Sequence, residues 1–152
     1  MAKIEFTQFD AYQDVLRELE LSVPKIIKPA IYNGAAIVAD EVKRSLRRTL
    51  GGRGSGDLER SMGLAEMRDD FGYIHTKIGF KDYDRRRQPN VVKARVLEGG
   101  RKAGPKNKPA RQKKTPFIAP AVKAARERAE RAMEDTVDQQ IQNIMEKKNK
   151  EG

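Results

Sequence analysis

The chain has 152 residues, a length that fits one domain, and only 38% of them are hydrophobic while 36% are charged, so its core must be economical. It has no cysteine, which excludes disulfides, thiolate metal sites and thiol nucleophiles and fits assembly in a reducing cytoplasm. The formal net charge is +10, and residues 81–115 alone hold 13 Lys/Arg against the three acids Asp82, Asp84 and Glu98, so the rest of the chain is neutral and the charge belongs to one segment.

The N-terminus, Met1-Ala2-Lys3-Ile4-Glu5-Phe6, lacks the apolar run of a signal peptide, and no stretch reaches the roughly 18 apolar residues that span a bilayer. The reading is of a protein with no export signal and no membrane segment. Alternation over Ile4 to Phe9 predicts a short strand, and Asp10 with Gln13 three residues on resembles a capping box before a short amphipathic helix ending near Leu21. Ile27, Ala30, Ile31, Gly34, Ala35, Val38, Val42, Leu46 and Leu50 then recur at helical spacing, with Glu41, Lys43, Arg44 and Arg47 on the opposite side. Pro29 predicts a kink or a start after it. The run from Gly51 to Gly56 ends that helix.

Asp57 predicts the cap of a short helix over Leu58 to Met62. From Tyr73 to Phe80, Ile74, Thr76, Ile78 and Phe80 alternate with Tyr73, His75, Lys77 and Gly79, which predicts one half-buried strand. Residues 91–98 are open between strand, from their β-branched residues, and helix, from Asn90 and Gly99 as flanking caps; the helix is the reading taken. Residues 100–115 show no periodicity and read as an exposed loop that orders on a partner. Last comes a long amphipathic helix. Its stripe is Ile118, Ala121, Val122, Ala125, Ala129, Ala132, Met133, Val137, Ile141, Ile144 and Met145, and fraying is expected over 147–152. The sum is a single α+β domain over 1–152: a small antiparallel sheet packed by two long helices, about 25–50 and 117–147, with short extra helices and a basic, partly flexible loop at 81–115.

No catalytic constellation is visible. The glycine run lacks the Lys-Ser/Thr of a P-loop and is followed by Asp57 and Leu58. His75 is the only histidine, has no metal-ligand spacing, and reads as a surface or edge residue. Asp57, Glu59, Glu66, Asp69 and Asp70 have no nucleophile or oxyanion donor beside them and read as capping and solubility residues. No catalytic, cofactor or metal residue is assigned. The basic segment is the exception: Arg85, Arg86, Arg87, Lys93, Arg95, Arg101, Lys102, Lys106, Lys108, Arg111, Lys113 and Lys114 are too concentrated for a face of mixed sign. They suit duplex phosphates or an acidic protein surface. With Tyr83 as the one aromatic among them, the interleaved rings that stack on single-stranded bases are missing.

Ile4-Glu5-Phe6, the helix from Ala30 to Leu50, Gly56-Asp57-Leu58-Glu59-Arg60-Ser61, Glu98-Gly99-Gly100 and Pro116-Phe117-Ile118-Ala119-Pro120-Ala121 occur here in a set order. In that order the chain resembles, over almost its whole length, the neck or head-tail joining (tail completion) proteins of siphophages and their prophage relatives. Gly99 stands where that family commonly has an aromatic residue. The resemblance implies structural roles for Gly56, Asp57, Leu58, Ser61, Glu98, Gly100, Pro116, Phe117, Pro120 and Ala121.

It also implies a non-enzymatic virion protein, made in the cytoplasm of the bacterial host and forming a homo-oligomeric, hexameric ring at the head-tail interface. Its implied partners are head-closure or connector proteins on one side and tail-terminator or tail-tube proteins on the other, with double-stranded DNA passing nonspecifically through the lumen. No cofactor and no membrane are implied. From the residues alone, the alternative is a stand-alone nonspecific duplex-binding protein that uses residues 81–115.

Overall fold

Two long antiparallel helices organise the chain, the second burying a row of alanines against the first. The computed structural model describes residues 13–14, 16–54, 56–101 and 113–151. The expected strand at Ile4 to Phe9, the cap at Asp10, and Lys102, Lys106, Lys108 and Arg111 lie outside the described residues. Residues 13–14 and 16–21 are helical (α1), and Ser22 separates them from α2 (Val23–Leu50).

The second helix does not wait for Pro29. It begins at Val23 with Pro24 in its first turn, where a missing N–H costs nothing, and runs through Pro29 to Leu50. The bond that Pro29 cannot donate would have gone to the carbonyl of Lys25, and Lys25 is exposed, so water can take the donor's place. At the far end Gly51 adopts the left-handed conformation, φ 55°, and returns its N–H to the Arg47 carbonyl at 2.9 Å.

The C-terminal helix, α5 (Ile118–Glu151), lies along α2. Ala121, Ala125 and Ala129 are buried against it. A Cβ on Gly34 would meet the Met133 sulfur at 2.5 Å, so the Met133 side chain fills the space that glycine leaves between the two helices. Asn33 Nδ2 donates to Thr136 Oγ1 at 2.9 Å one turn further along. One expectation changes: Val122 and Met145 are exposed and lie off the packed stripe.

Glu41, placed by periodicity on the outer side of α2, is buried. Its carboxylate accepts from Arg128 of α5 at 3.0 Å and from Arg48 at 3.0 Å, with Arg44 at 3.6 Å. The Arg128 hydrogen bond outweighs burial and holds the carboxyl below the ordinary glutamate range. A buried charge is tolerable only when paired in this way.

Between the long helices the chain makes α3 (Asp57–Ser61), a β-arm and α4 (Asn90–Gly99). The single expected strand over 73–80 is two strands, β3 (Tyr73–His75) and β4 (Ile78–Phe80). Their antiparallel partners are β2 (Arg68–Asp70) and β1 (Met62–Leu64), which the sequence did not announce. Met62 opens β1 instead of closing α3.

Met62 pairs with Phe80 and Leu64 with Ile78, whereas Arg68 pairs with His75. Residues 65–67 therefore oppose only residues 76–77, one extra residue on the outgoing strand. That is a bulge, bridged by Ala65 N–H to the Lys77 carbonyl at 2.7 Å and by Thr76 Oγ1 to the Ala65 carbonyl at 2.7 Å. It splits the arm into two two-stranded pieces, and the molecule is α+β with helix predominating. The core gathers where the base of the arm meets the helices: Ala39, Val42 and Leu46 of α2, Met62, Ala94 of α4, Phe117 and Ala121.

Candidate functional site

Phe117 is the centre of the core. It is fully buried, meets Phe80 edge-on with ring centroids 6.1 Å apart, and sits on the residue before α5 begins. A helix starting beside a buried ring has free N–H groups that water cannot easily reach. Glu98, near the end of α4, supplies the acceptor. Its Oε2 takes the N–H of Phe117 at 2.7 Å and of Ile118 at 2.8 Å, and its Oε1 takes the N–H of Ala119 at 3.0 Å. Burial opposes the charge, but the three amides and nearby Lys114 outweigh it and lower the Glu98 pKa below the ordinary glutamate value.

The Glu-Gly-Gly and Pro-Phe-Ile-Ala-Pro-Ala motifs are thus one device. Pro116 precedes the ring and cannot compete for the carboxylate, while Pro120 falls in the first turn of α5, where its missing donor is harmless. Ala121 packs fully buried one turn on. Gly100 leaves α4 with φ 73°, and Thr115 N–H returns to the Leu97 carbonyl at 2.9 Å, bringing the two ends of the basic loop together.

The Gly-Asp-Leu-x-x-Ser motif builds the neighbouring turn. Gly56, φ 78°, is the N-cap of α3, and Asp57 is its first residue where the cap was expected. The Asp57 carboxylate pairs with Arg60 at 2.6 Å and lies 3.9 Å from Arg85. Leu58 packs against the core, and Ser61 Oγ donates to the Leu58 carbonyl at 2.7 Å, closing the short helix.

Asn90 is likewise not a cap. Pro89 holds that position, and Asn90 is the buried first residue of α4, donating Nδ2 to the Lys81 carbonyl at 3.0 Å and its N–H to the Asp82 carbonyl at 3.0 Å. It fastens the basic segment to the end of β4.

That segment is not one uniform patch. Arg85, Arg86 and Arg87 stand exposed on a turn organised by Asp84, whose Oδ1 accepts the N–H of Arg86 at 2.8 Å and of Gln88 at 2.7 Å. Asp84 also pairs with Lys93, which is thereby neutralised in place. The Lys93 ion pair, aided by the backbone donors of Gln88 and Arg86, keeps the Asp84 carboxyl below the ordinary aspartate range. Arg95, Arg101, Lys113 and Lys114 are exposed.

Between the glycine loop and α4 lies an open groove of about 690 Å³ with Leu50, Leu58, Val92, Val96 and Leu97 in its walls and Lys93, Arg101 and Asp57 at its polar edge. His75 sits where the arm's tip begins, its Nε2 2.7 Å from Asp70 Oδ2. Among the described residues no group of three His, Asp or Glu side chains could hold a metal ion, and no helix is long and apolar enough to cross a membrane. Compared with family models, with curated proteins and with solved structures, the chain matches none.

Proposed function

We propose that this is a structural protein of the bacteriophage neck, acting without catalysis as a ring that joins head connector to tail tube around the DNA channel. The observation that carries the reading is the bonding of Glu98 to the start of α5. Two of the motifs behind the resemblance, Glu98-Gly99-Gly100 and Pro116 to Ala121, meet at the start of α5 to dock that helix, and Leu58 of a third packs against the same core. An arrangement whose distinctive residues are spent on assembling a scaffold suits a protein whose surface, not a pocket chemistry, is its function. The lean composition fits a protomer that completes its burial against neighbours. The exposed Arg85-Arg86-Arg87 turn then faces the lumen's DNA or an acidic neighbouring ring.

The deciding experiment is deletion of the gene from its phage. Negative-stain images of tailless, filled heads beside free tails are expected. Intact infectious particles from the deletion would overturn the reading.

A further inference from the structure

The tip of the β-arm is built against local preference. Phe71 and Gly72 both adopt left-handed backbone, φ 55° and 90°, as a two-residue hairpin turn of type I′ requires, and Gly72 N–H is held by Asp69 Oδ1 at 2.8 Å. At the first of these positions Asn, Asp or Gly is favoured, because a bulky residue at positive φ is strained. Phe71 occupies it with its side chain wholly in water, 109% exposed, and Tyr73 beside it is 71% exposed. Within one molecule the Phe71 ring gains neither conformation nor burial, and a residue that breaks a local rule without internal compensation points outward.

The groove between the glycine loop and α4 has the opposite character. Its wall is apolar, Val92 there is 48% exposed, and Lys93 and Arg101 stand at its edge. The tip carries two carboxylates, Asp69 and Asp70, flanking its aromatic rings. No tip residue lines the groove. Within one copy, then, the tip does not fill the groove.

We propose that the arm tip of one copy of this chain seats in the groove of the next, with Phe71 against Val92, Val96 and Leu97, and Asp69 facing Arg101. Asp70 is held by His75 and Lys93 by Asp84, so the charges that select this pairing are Asp69 and Arg101: tip against tip would oppose the two Asp69 carboxylates, and groove against groove the two Arg101 guanidinium groups. Asp57 at the groove edge does not oppose it, being paired with Arg60. A contact between two different patches is heterologous, so each copy still offers one tip and one groove, and repetition gives a ring when the rotation closes. Only that closure rests on the neck reading; the pairwise contact stands on the tip and groove themselves.

Phe71→Ser and Val92→Asp alter exposed side chains, so both variants should keep the circular dichroism and melting curve of the parent. Analytical ultracentrifugation across the soluble concentration range is the measurement. Self-association is expected for the parent and its loss in each variant alone. A mixture of the two is expected to form dimers and nothing larger, because Phe71→Ser retains a groove and Val92→Asp retains a tip. Monomers only in the mixture, self-association of either variant like the parent's, or a parent that stays monomeric throughout would each overturn the contact. Closed rings that survive both substitutions would overturn the contact and leave the neck reading standing. Dimers in the mixture with open filaments from the parent would support the contact and count against the ring.

Discussion

The carboxylate of Glu98 lies across the N-terminus of α5, taking the buried Phe117 N–H at 2.7 Å from a residue 19 positions earlier in the chain. Glu98→Ala leaves that donor and two others without their acceptor. The expected loss is about 1–3 kcal/mol, the cost of orphaning partly buried donors, read as a lower urea midpoint at unchanged slope. Glu98→Gln keeps one of the two accepting oxygens and puts an NH2 donor in place of the other, so it should lose less than Glu98→Ala but not match the parent.

The same carboxyl sets a pH dependence. Its pKa in the folded protein is lowered, because the three amides outweigh burial, from an unfolded value of about 4.3. A lowered pKa means that the stabilisation is fully present above the unfolded value and is lost as pH falls through the folded one. Parent and Glu98→Gln unfolding curves should therefore differ most near neutral pH, begin to converge as pH falls below about 4.3 and meet only below the lowered folded value; a gap independent of pH would contradict the assignment.

Phe117→Ala removes the one aromatic side chain that is wholly buried among the described residues. Truncating a buried Phe costs about 3–5 kcal/mol, a large share of a domain's stability. Loss of cooperative thermal unfolding, or a strongly lowered midpoint, is the expected result by calorimetry.

How much of this was legible in sequence depends on the range over which each signal acts. The long helices announced themselves because a 3.6-residue period is local, whereas residues 91–98 stood open between strand and helix, and the residue read as the cap, Asn90, is the first residue of the helix. Glu41 did not: charge put it outside, and its burial depends on Arg128, 87 positions away, joining Arg44 and Arg48 of its own helix. The β1 and β2 strands are three residues each, too short for a period, and the bulge at 65–67 hides the arm's continuity. Glu98 and Phe117 were each visible as motif residues, but their bond is a tertiary fact. The basic segment read as a single patch because composition cannot show that Asp84 neutralises Lys93.

Gly34 offers a test of how closely α2 and α5 must approach. A Cβ there meets Met133 Sδ and Cγ at 2.5 and 2.6 Å, and the Ala129 carbonyl lies at 3.5 Å. Gly34→Leu should cost about 1–3 kcal/mol from overpacking. Gly34→Ala asks only an unbranched thioether to move, and in a Met133→Ala background nothing need move. In that background the substitution should stabilise by up to about 1 kcal/mol, alanine's helix advantage over glycine. Chemical denaturation of the four combinations would show it as a coupling between the two positions.

The Arg85-Arg86-Arg87 turn separates the two readings of the basic segment. Its shape is held by Asp84 through the backbone of Arg86 and Gln88, and the Arg85 contact to Asp57 is long at 3.9 Å. Replacing all three arginines with glutamate should therefore leave thermal stability close to the parent's. If they face DNA or an acidic ring inside a neck, the variant phage should yield fewer infectious, DNA-retaining particles, and the isolated parent should bind duplex weakly. Normal titre and DNA content would remove the segment from the neck function. Tight binding by the isolated protein, falling with log salt at about −0.9 per neutralised phosphate and abolished by the triple substitution, would move the function to stand-alone duplex binding.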